Sequence, residues 1–401
     1  LDGFISIESL VASAKDNCHR SVGLTDHGTF SGAIQFVKEC RKQEIRPVLG
    51  MEAYMSRDHS IHSKKEQPEG QKGNRHLNLF AKNYKGYQNL CTLSQIASLD
   101  GFYYKPRIDI NLLAKYREGL IVSSACINSV INYNLTIDRY EKAKKAATIF
   151  KDIFGEDFYL EIMYHGIDKE AKIIPDIQKI SKELDIKTII TNDTHYPQKK
   201  DAKYHSIILC LRDNKNSCIK DPNRFRFSSE EFYFKSTEEM FEIFKSLPKS
   251  MKNTVELAEK CDLSELQFGE MRLPKFDIPE QFGNPHEYLC HLAKEGLKSR
   301  NLEDKKEYVD QLNLELSDLK LIFDTKKYDF STYFLIVEDI IRFIKEKQIP
   351  YDIRGSGNSS VLLHVLKISK IDPVAYQLRW ERFLGFSSKR TIIPSDFGIN
   401  S

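Results

Sequence analysis

Val22-Gly23-Leu24-Thr25-Asp26-His27-Gly28 and Thr188-Ile189-Ile190-Thr191-Asn192-Asp193-Thr194-His195 are built alike: a short apolar or β-branched run, then an aspartate and a histidine. A strand sends alternate side chains to opposite faces, so Asp-x-His beyond a strand points both groups to one side, where they can share or bridge ions. Four more runs lie between these two: Pro47-Val48-Leu49, Leu77 to Ala81, Leu120-Ile121-Val122 and Phe158 to Ile162. A chemical side chain bounds each. Glu52 follows the first, His76 stands just before the second, and Cys126 and His165 follow the others. Helix-like segments separate several of the runs, and such alternation predicts an α/β class. Strands that gather ligands at one rim predict a distorted, TIM-like β/α barrel through about residue 265.

The 401 residues exceed one ordinary core, and at ~100–200 residues per domain they suit two. Charged residues at 29% and apolar ones at 41% are globular values and exclude a disordered chain. No apolar run approaches the ~18 residues that would cross a bilayer. Leu1-Asp2-Gly3-Phe4 lacks the basic start of an export signal, so a cytoplasmic protein without a membrane partner is expected. The eight cysteines include no Cys-x-x-Cys, which speaks against a disulfide framework or zinc ribbon.

Residues 56–75 are almost free of apolar side chains and read as an exposed loop, with His59 and His62 solvated in it. Two prolines in Leu273-Pro274-Lys275-Phe276-Asp277-Ile278-Pro279 mark a linker, placed at 266–284. From 285 to 347 the pattern turns helical, and Tyr333, Phe334, Ile336, Val337, Ile340, Ile341 and Ile344 form a stripe read as core. The net charge of +3 hides an asymmetry: 301–340 carry five Lys/Arg against ten Asp/Glu, whereas 341–390 carry ten against four. The basic segment suits phosphates.

A single histidine or cysteine among these residues would carry no weight. In order along the chain, however, Leu1-Asp2-Gly3, Thr25-Asp26-His27-Gly28, Gly50-Met51-Glu52-Ala53-Tyr54, His76-Leu77-Asn78-Leu79-Phe80-Ala81-Lys82-Asn83, Ser124-Ala125-Cys126 and Asn192-Asp193-Thr194-His195-Tyr196 resemble the successive motifs of the PHP domain of bacterial DNA polymerase III alpha subunits. Asp221-Pro222-Asn223-Arg224-Phe225-Arg226-Phe227-Ser228 resembles that family's downstream signature, and the likeness covers essentially the whole chain. It implies metal ligands at Asp2, His27, Glu52, His76, Cys126, Asp193 and His195, holding zinc or manganese. Glu161 and His165, at the same rim, are read as groups that orient ligands, and His205 as helix-face packing. The family's domain opens with a His-x-His strand ahead of the Leu-Asp-Gly element. This sequence starts after that point, so an incomplete site is expected. The reaction class implied is metal-assisted phosphoester hydrolysis, in some members a 3′ to 5′ exonuclease and in others a platform for a separate one.

Arg354-Gly355-Ser356-Gly357-Asn358-Ser359-Ser360 is a small-residue loop before the apolar run Val361 to Ile368, where backbone N–H groups and a helix N-terminus could meet phosphate. Ile371-Asp372-Pro373 and Trp380-Glu381-Arg382-Phe383-Leu384 follow at the family's palm spacing. The resemblance assigns Arg354, Gly355 and Ser356 to the incoming triphosphate, with Trp380 as core. It places two magnesium-binding aspartates where Pro394-Ser395-Asp396-Phe397-Gly398-Ile399-Asn400 reads Gly398 and Asn400. Asp396 would serve only in a register shifted by one, which turns its side chain to the other face. The fold expected is thus a barrel over 1–265, a linker over 266–284, and a helical segment leading into an incomplete mixed α/β palm over 285–401. The function implied is template-directed DNA synthesis on primer-template DNA from deoxynucleoside triphosphates, beside a proofreading exonuclease and a sliding clamp, and not performed by this chain alone. A PHP-type phosphoesterase and a non-catalytic module docking DNA or an exonuclease stay open beside it.

Overall fold

The computed structural model describes residues 2–56, 60–62, 74–212, 221, 223–269 and 273–384. His59, Asp396, Gly398 and Asn400 lie outside the described residues, whereas His62 is exposed. The chain divides into two compact units, Leu1–Gln267 and Phe268–Ser401.

Among the described residues the first unit is built on seven strands: β1 (Ser21–Leu24), β2 (Arg46–Met55), β3 (Arg75–Ala81), β4 (Arg107–Ile108), β5 (Leu120–Ser123), β6 (Phe158–Ile162) and β7 (Thr188–Ile190). They form a curled half-barrel in the order β1-β2-β3-β5-β6-β7, with β4 paired to β2. Sequence reading placed six of these strands. It missed β4, whose two residues are too short to show a period. β3 runs antiparallel to β2 and β5, while every other pairing is parallel. That reversal explains why His76 stands at the beginning of its strand although the other ligand candidates follow theirs: a reversed strand starts at the rim where its neighbours end.

Pairing register sorts the inward side chains into layers. Glu52 lies opposite Asn78 and Asn78 opposite Ser123, while Glu161 is opposite Ile189. Toward the closed end, Val48, Phe80, Ile121, Tyr159 and Ile189 pack into one apolar cluster with Leu257 of the helix Pro248–Lys260 and Cys261, which caps that helix. The half-barrel therefore has an apolar floor, then a polar layer of Glu52, Asn78, Ser123 and Glu161, then the rim. The helices Ala33–Lys42, Tyr84–Leu99, Tyr140–Phe154 and Asp168–Leu184 pack against the strands. Their buried residues recur at helical spacing, as at Ala143, Ala147, Phe150 and Phe154.

The second unit is helical among the described residues: Pro285–Ser299, Lys306–Lys326, Phe330–Glu346 and the short Val361–Val365. One cluster joins Leu289, Leu316, Phe334, Leu363 and Trp380; of the predicted stripe Phe334 and Ile341 are buried in it, Tyr333, Val337 and Ile344 pack against it, and Ile340 lies exposed. Trp380 is buried, and its indole N–H donates to Asp318 at 2.8 Å.

Candidate metal centre

Two backbone bonds set the first ligand loop. Gly28 N–H donates to the Glu52 carbonyl at 2.8 Å and Glu52 N–H to the Asp26 carbonyl at 3.0 Å, which lays His27 beside Glu52 on the edge of β2. Gly28 has φ +60°, and a Cβ there would stand 2.8 Å from the Tyr54 ring and 2.9 Å from Pro106, so only glycine fits. On the other edge His76 N–H donates to the Asn128 carbonyl at 3.3 Å, bringing the Cys126 loop over β3. His195 N–H donates to the Phe232 carbonyl at 2.7 Å, and Phe4 N–H to the His195 carbonyl at 2.6 Å, which ties the segment carrying Asp2 to the β7 loop.

All seven predicted ligands converge. Asp2 Oδ2 is 3.5 Å from His27 Nε2, and His27 Nδ1 closes on Glu52 Oε2. Glu52 Oε1 is 3.0 Å from His76 Nδ1, which is 3.3 Å from the Cys126 sulfur. His195 lies with its ring centroid 6.4 Å from that of His27, and its Nδ1 is 3.5 Å from Asp193 Oδ1. His27, Glu52 and His76 each offer a ligand atom within 4.8 Å of the others. Asp2, Asp26, His27, Glu52, Asp193 and His195 line one cavity of about 810 Å³. His76 and Cys126 join through Glu52 and each other.

The electrostatics are those of a carboxylate-rich pocket holding imidazoles. Burial works against charge on His27, but the carboxylates of Glu52, Asp2 and Asp193 outweigh it and raise the ring to about 9. Burial would lift Glu52, yet His27 and His76 hold it far below the usual carboxylate range. Cys126 is raised well above an ordinary thiol by burial and then by the Glu52 and Asp193 charges. A divalent ion would replace the proton on His27 and favour the thiolate. The residues fit such an ion. Imidazole, carboxylate and sulfur donors together suit zinc or manganese, and His27 Nδ1 is a buried atom without an aligned hydrogen-bond partner. His195 Nδ1–H donates to the Asp193 carbonyl at 3.1 Å, leaving Nε2 as the lone-pair atom.

Beneath the ligands stands a buried polar frame. Glu161 accepts from Thr191 Oγ at 2.5 Å, Asn78 Nδ2 at 3.1 Å, Ala125 N–H at 3.0 Å and the Ser123 hydroxyl. Burial raises its carboxyl, against the pull of those donors. One carboxylate thereby joins β3, the Cys126 turn and the stem of the Asp193 loop. His165 Nε2 accepts the Asp193 N–H, and its Nδ1–H donates to Glu170 at 3.0 Å. Sequence reading placed both residues at this rim without their partners. It missed Lys235, which is buried and reaches Asn192 Oδ1 at 3.3 Å. His205 is more than helix packing: its Nε2–H donates to the Asp2 carbonyl at 2.6 Å and so positions a candidate ligand 203 residues away in sequence.

The triphosphate loop is arranged differently from the expectation. Gly355 has φ +84° and Ser356 opens a tight turn, Ser356–Ser359. Ser356 lines a cavity of about 770 Å³ with Gln311, Arg379 and Arg382, whereas Arg354 is not among the described lining residues. The first N–H groups of Val361–Val365 are already taken. Val361 and Leu362 donate to Glu315 at 2.8 and 2.9 Å, and Leu363 donates to the Ser360 hydroxyl at 3.1 Å. A phosphate at this loop would therefore meet Ser356 and arginines rather than the helix end. Arg382 was visible in the Trp-Glu-Arg-Phe-Leu motif, but nothing local marked Arg379.

Comparison with known proteins puts one family match within each unit. The PHP domain family model matches residues 1–165, and the model described as the bacterial DNA polymerase III alpha NTPase domain matches residues 287–400. The DNA polymerase III subunit alpha of Borreliella burgdorferi is 42% identical over all of this chain, which covers 34% of that relative. That of Treponema pallidum is 38% identical, again over the whole chain and 33% of the relative. The chain thus spans about a third of the length of the curated relatives it matches. Among solved structures, an amidohydrolase from Chromobacterium violaceum aligns with 49% of this chain and 84% of its own, at 10% identity and a TM-score of 0.33, a likeness that carries no argument.

Proposed function

We propose, for a chain that belongs to the bacterial DNA polymerase III alpha-subunit family, that its first unit holds a divalent-metal phosphoester site and its second opens the polymerase palm. One observation carries the first part: Asp2, His27, Glu52, Asp193 and His195 from distant segments line one cavity, and Glu52 in turn contacts His76, which contacts Cys126. Asp2, His27, Glu52, His76, Cys126, Asp193 and His195 would hold the ion, zinc or manganese. Such an ion lowers the pKa of bound water and draws charge from phosphoryl oxygens. The chain's own part is to orient the ligands through Glu161, His165 and His205.

For the full-length protein the reading is template-directed DNA synthesis in the bacterial cytoplasm. Its substrates are primer-template DNA and deoxynucleoside triphosphates, its cofactor is magnesium, and a proofreading exonuclease and a sliding clamp are its companions. Ser356, Gly355 and Arg354 stand for triphosphate binding, to which we add Arg379 and Arg382. No helix among the described residues is long and apolar enough to cross a membrane.

The test is metal content and phosphodiester hydrolysis by the purified chain incubated with manganese or zinc, using bis(p-nitrophenyl) phosphate. Asp193→Asn should lower both together. No hydrolysis, with metal content unchanged by Asp193→Asn, ends the reading.

A second reading, a non-catalytic DNA-docking module, is favoured by a cluster of cations. Lys370 and Lys345 lie 4.7 and 5.7 Å from the Tyr351 ring centroid, and Lys367 and Arg300 bear electrostatically on Lys345. It requires affinity for DNA that falls steeply with salt.

A further inference from the structure

Asn78 interrupts an apolar stretch of β3: Leu77, Leu79 and Phe80 beside it are buried, and Asn78 itself is only 5% exposed. A leucine there would need no partner, whereas a buried amide needs one for each of its polar atoms. The nitrogen has its partner. Nδ2 donates to Glu161, at 3.3 Å to Oε1 and 3.1 Å to Oε2. Glu161 also accepts from Ala125 N–H at 3.0 Å and Thr191 Oγ at 2.5 Å, so it acts as an acceptor throughout. That fixes the amide with its nitrogen toward Glu161 and its oxygen away. Oδ1 is buried, and among the described residues no donor reaches it.

Pairing register locates this oxygen. Asn78 stands opposite Glu52 of β2 on one side and Ser123 of β5 on the other, and Glu161 belongs to β6, beyond β5. The nitrogen is drawn across Ser123 toward β6. The oxygen diverges from it at the same carbon and is left on the β2 side, where Glu52 is. His76, two residues earlier on the same strand, faces the same way and has its Nδ1 3.0 Å from Glu52 Oε1. Asn78, Glu52, Glu161 and His27 line one cavity. A neutral oxygen beside a carboxylate and imidazoles is a donor set for a cation.

We infer that Asn78 is a further member of the metal centre: Oδ1, aimed by Glu161, is a neutral oxygen ligand to the ion that Glu52 and His76 hold, and it tilts the preference of the site from zinc toward manganese. The inference rests on the divalent-ion reading of this cavity and adds to it a residue that sets ion specificity. Zinc is satisfied by four donors, among which sulfur and imidazole suit it, while manganese takes more ligands and prefers oxygen. An amide raises the oxygen count without adding charge to a layer that already holds Glu52 and Glu161. Aspartate would set a third carboxylate there and give up the N–H to Glu161.

The test measures manganese and zinc binding to the full chain by calorimetry, after metal has been stripped with EDTA and the chelator removed. Asn78→Leu should weaken manganese binding by about tenfold to a hundredfold and leave zinc close to the parent. Cobalt, used as a spectroscopic probe, should absorb more strongly in the visible range in Asn78→Leu than in the parent, because its ligand number falls toward four. Asn78→Asp gives an independent check. Without metal it should melt below the parent, and manganese should raise its melting temperature by more than it raises the parent's. An unchanged manganese-to-zinc ratio in Asn78→Leu, a cobalt spectrum equal to the parent's, or an Asn78→Asp protein that gains no more from manganese than the parent overturns the inference and leaves Oδ1 to a buried water. A parent that binds neither ion ends the metal reading itself, and this inference with it. A parent that binds both, while Asn78→Leu keeps its ratio, ends only the role given to Asn78.

Discussion

His165 Nε2 accepts the backbone N–H of Asp193 at 3.1 Å, so a ring outside the candidate ligand set holds the backbone of a residue within it. The acceptor role requires the proton on Nδ1, where Glu170 receives it at 3.0 Å, and the ring stacks on Phe232 with centroids 4.3 Å apart. Histidine and glutamate here are both buried.

Removing the ring should leave Glu170 Oε1 buried without its donor, while the residue-165 backbone N–H still donates to Oε2. His165→Leu is expected to destabilise the first unit by about 1–3 kcal/mol, the cost of leaving a buried acceptor without its donor. The double variant His165→Leu, Glu170→Leu should recover part of that loss. Denaturant midpoints of the two variants and the parent decide it. Equal midpoints for parent and His165→Leu would remove His165 from any positioning role.

Glu161 makes a prediction that needs no metal. Ala125 N–H donates to its carboxylate, and Ala125 carries φ +59°, next to Cys126. Glu161→Gln places an amide N–H₂ among donors and should loosen that turn. The alkylation rate of Cys126, mapped by mass spectrometry, should then rise roughly tenfold or more, the effect of about 1.4 kcal/mol on local opening. Cys261, buried at the floor, serves as the internal control. A Cys126 rate equal to the parent's contradicts the role given to Glu161.

Glu315 gives the second unit a pH dependence. Burial raises its carboxyl to about 7 from 4.5, against the hydrogen bonds of Leu362, Val361, Ser360 and Gln311. Because the folded value lies above the unfolded one, its contribution to stability is whole below about 4.5 and fades as pH climbs through about 7. At about 1.4 kcal/mol per pH unit, the gap corresponds to roughly 3 kcal/mol. Urea midpoints between pH 4.5 and 8 should fall for the parent and stay flatter for Glu315→Gln. Parallel curves for the two proteins would show that this carboxyl does not titrate as described.

Metal addition should be linked to protons. His27, raised to about 9, is protonated without metal at neutral pH, so an ion at the site must displace that proton. Zinc affinity should rise with pH up to about 9, and calorimetry in buffers of different ionisation heat should show proton release. Without metal the sign reverses: His27 stabilises the fold below about 6.5, and that contribution is lost as pH rises through about 9. Chelation should therefore lower the melting temperature more at pH 9 than at pH 6.5. A shift independent of pH would exclude His27 as a ligand.

The strand runs, the order of the ligand motifs and the helical stripe around Phe334 were legible in the sequence, because each is a short-range pattern. Val22 to Leu24 shows its strand through its own composition and Asp193-x-His195 its shared face through a period of two, and neither needs knowledge of a distant neighbour. The reversed direction of β3 was not legible, since antiparallel and parallel strands present the same alternation. Nor was the role of Glu315, which lies mid-helix in sequence yet caps a helix that starts at Val361.

Residue type and spacing alone thus set side chains of metal-ligand type at strand ends and a small-residue loop before an apolar turn. Tertiary structure alone decided which groups hold those residues in place: Glu161 joining three strands, His205 reaching back to Asp2, and Glu315 occupying the helix end. The reason is physical. A period belongs to the local backbone, whereas a buried polar atom must find its partner wherever folding brings one, and sequence distance places no limit on that search.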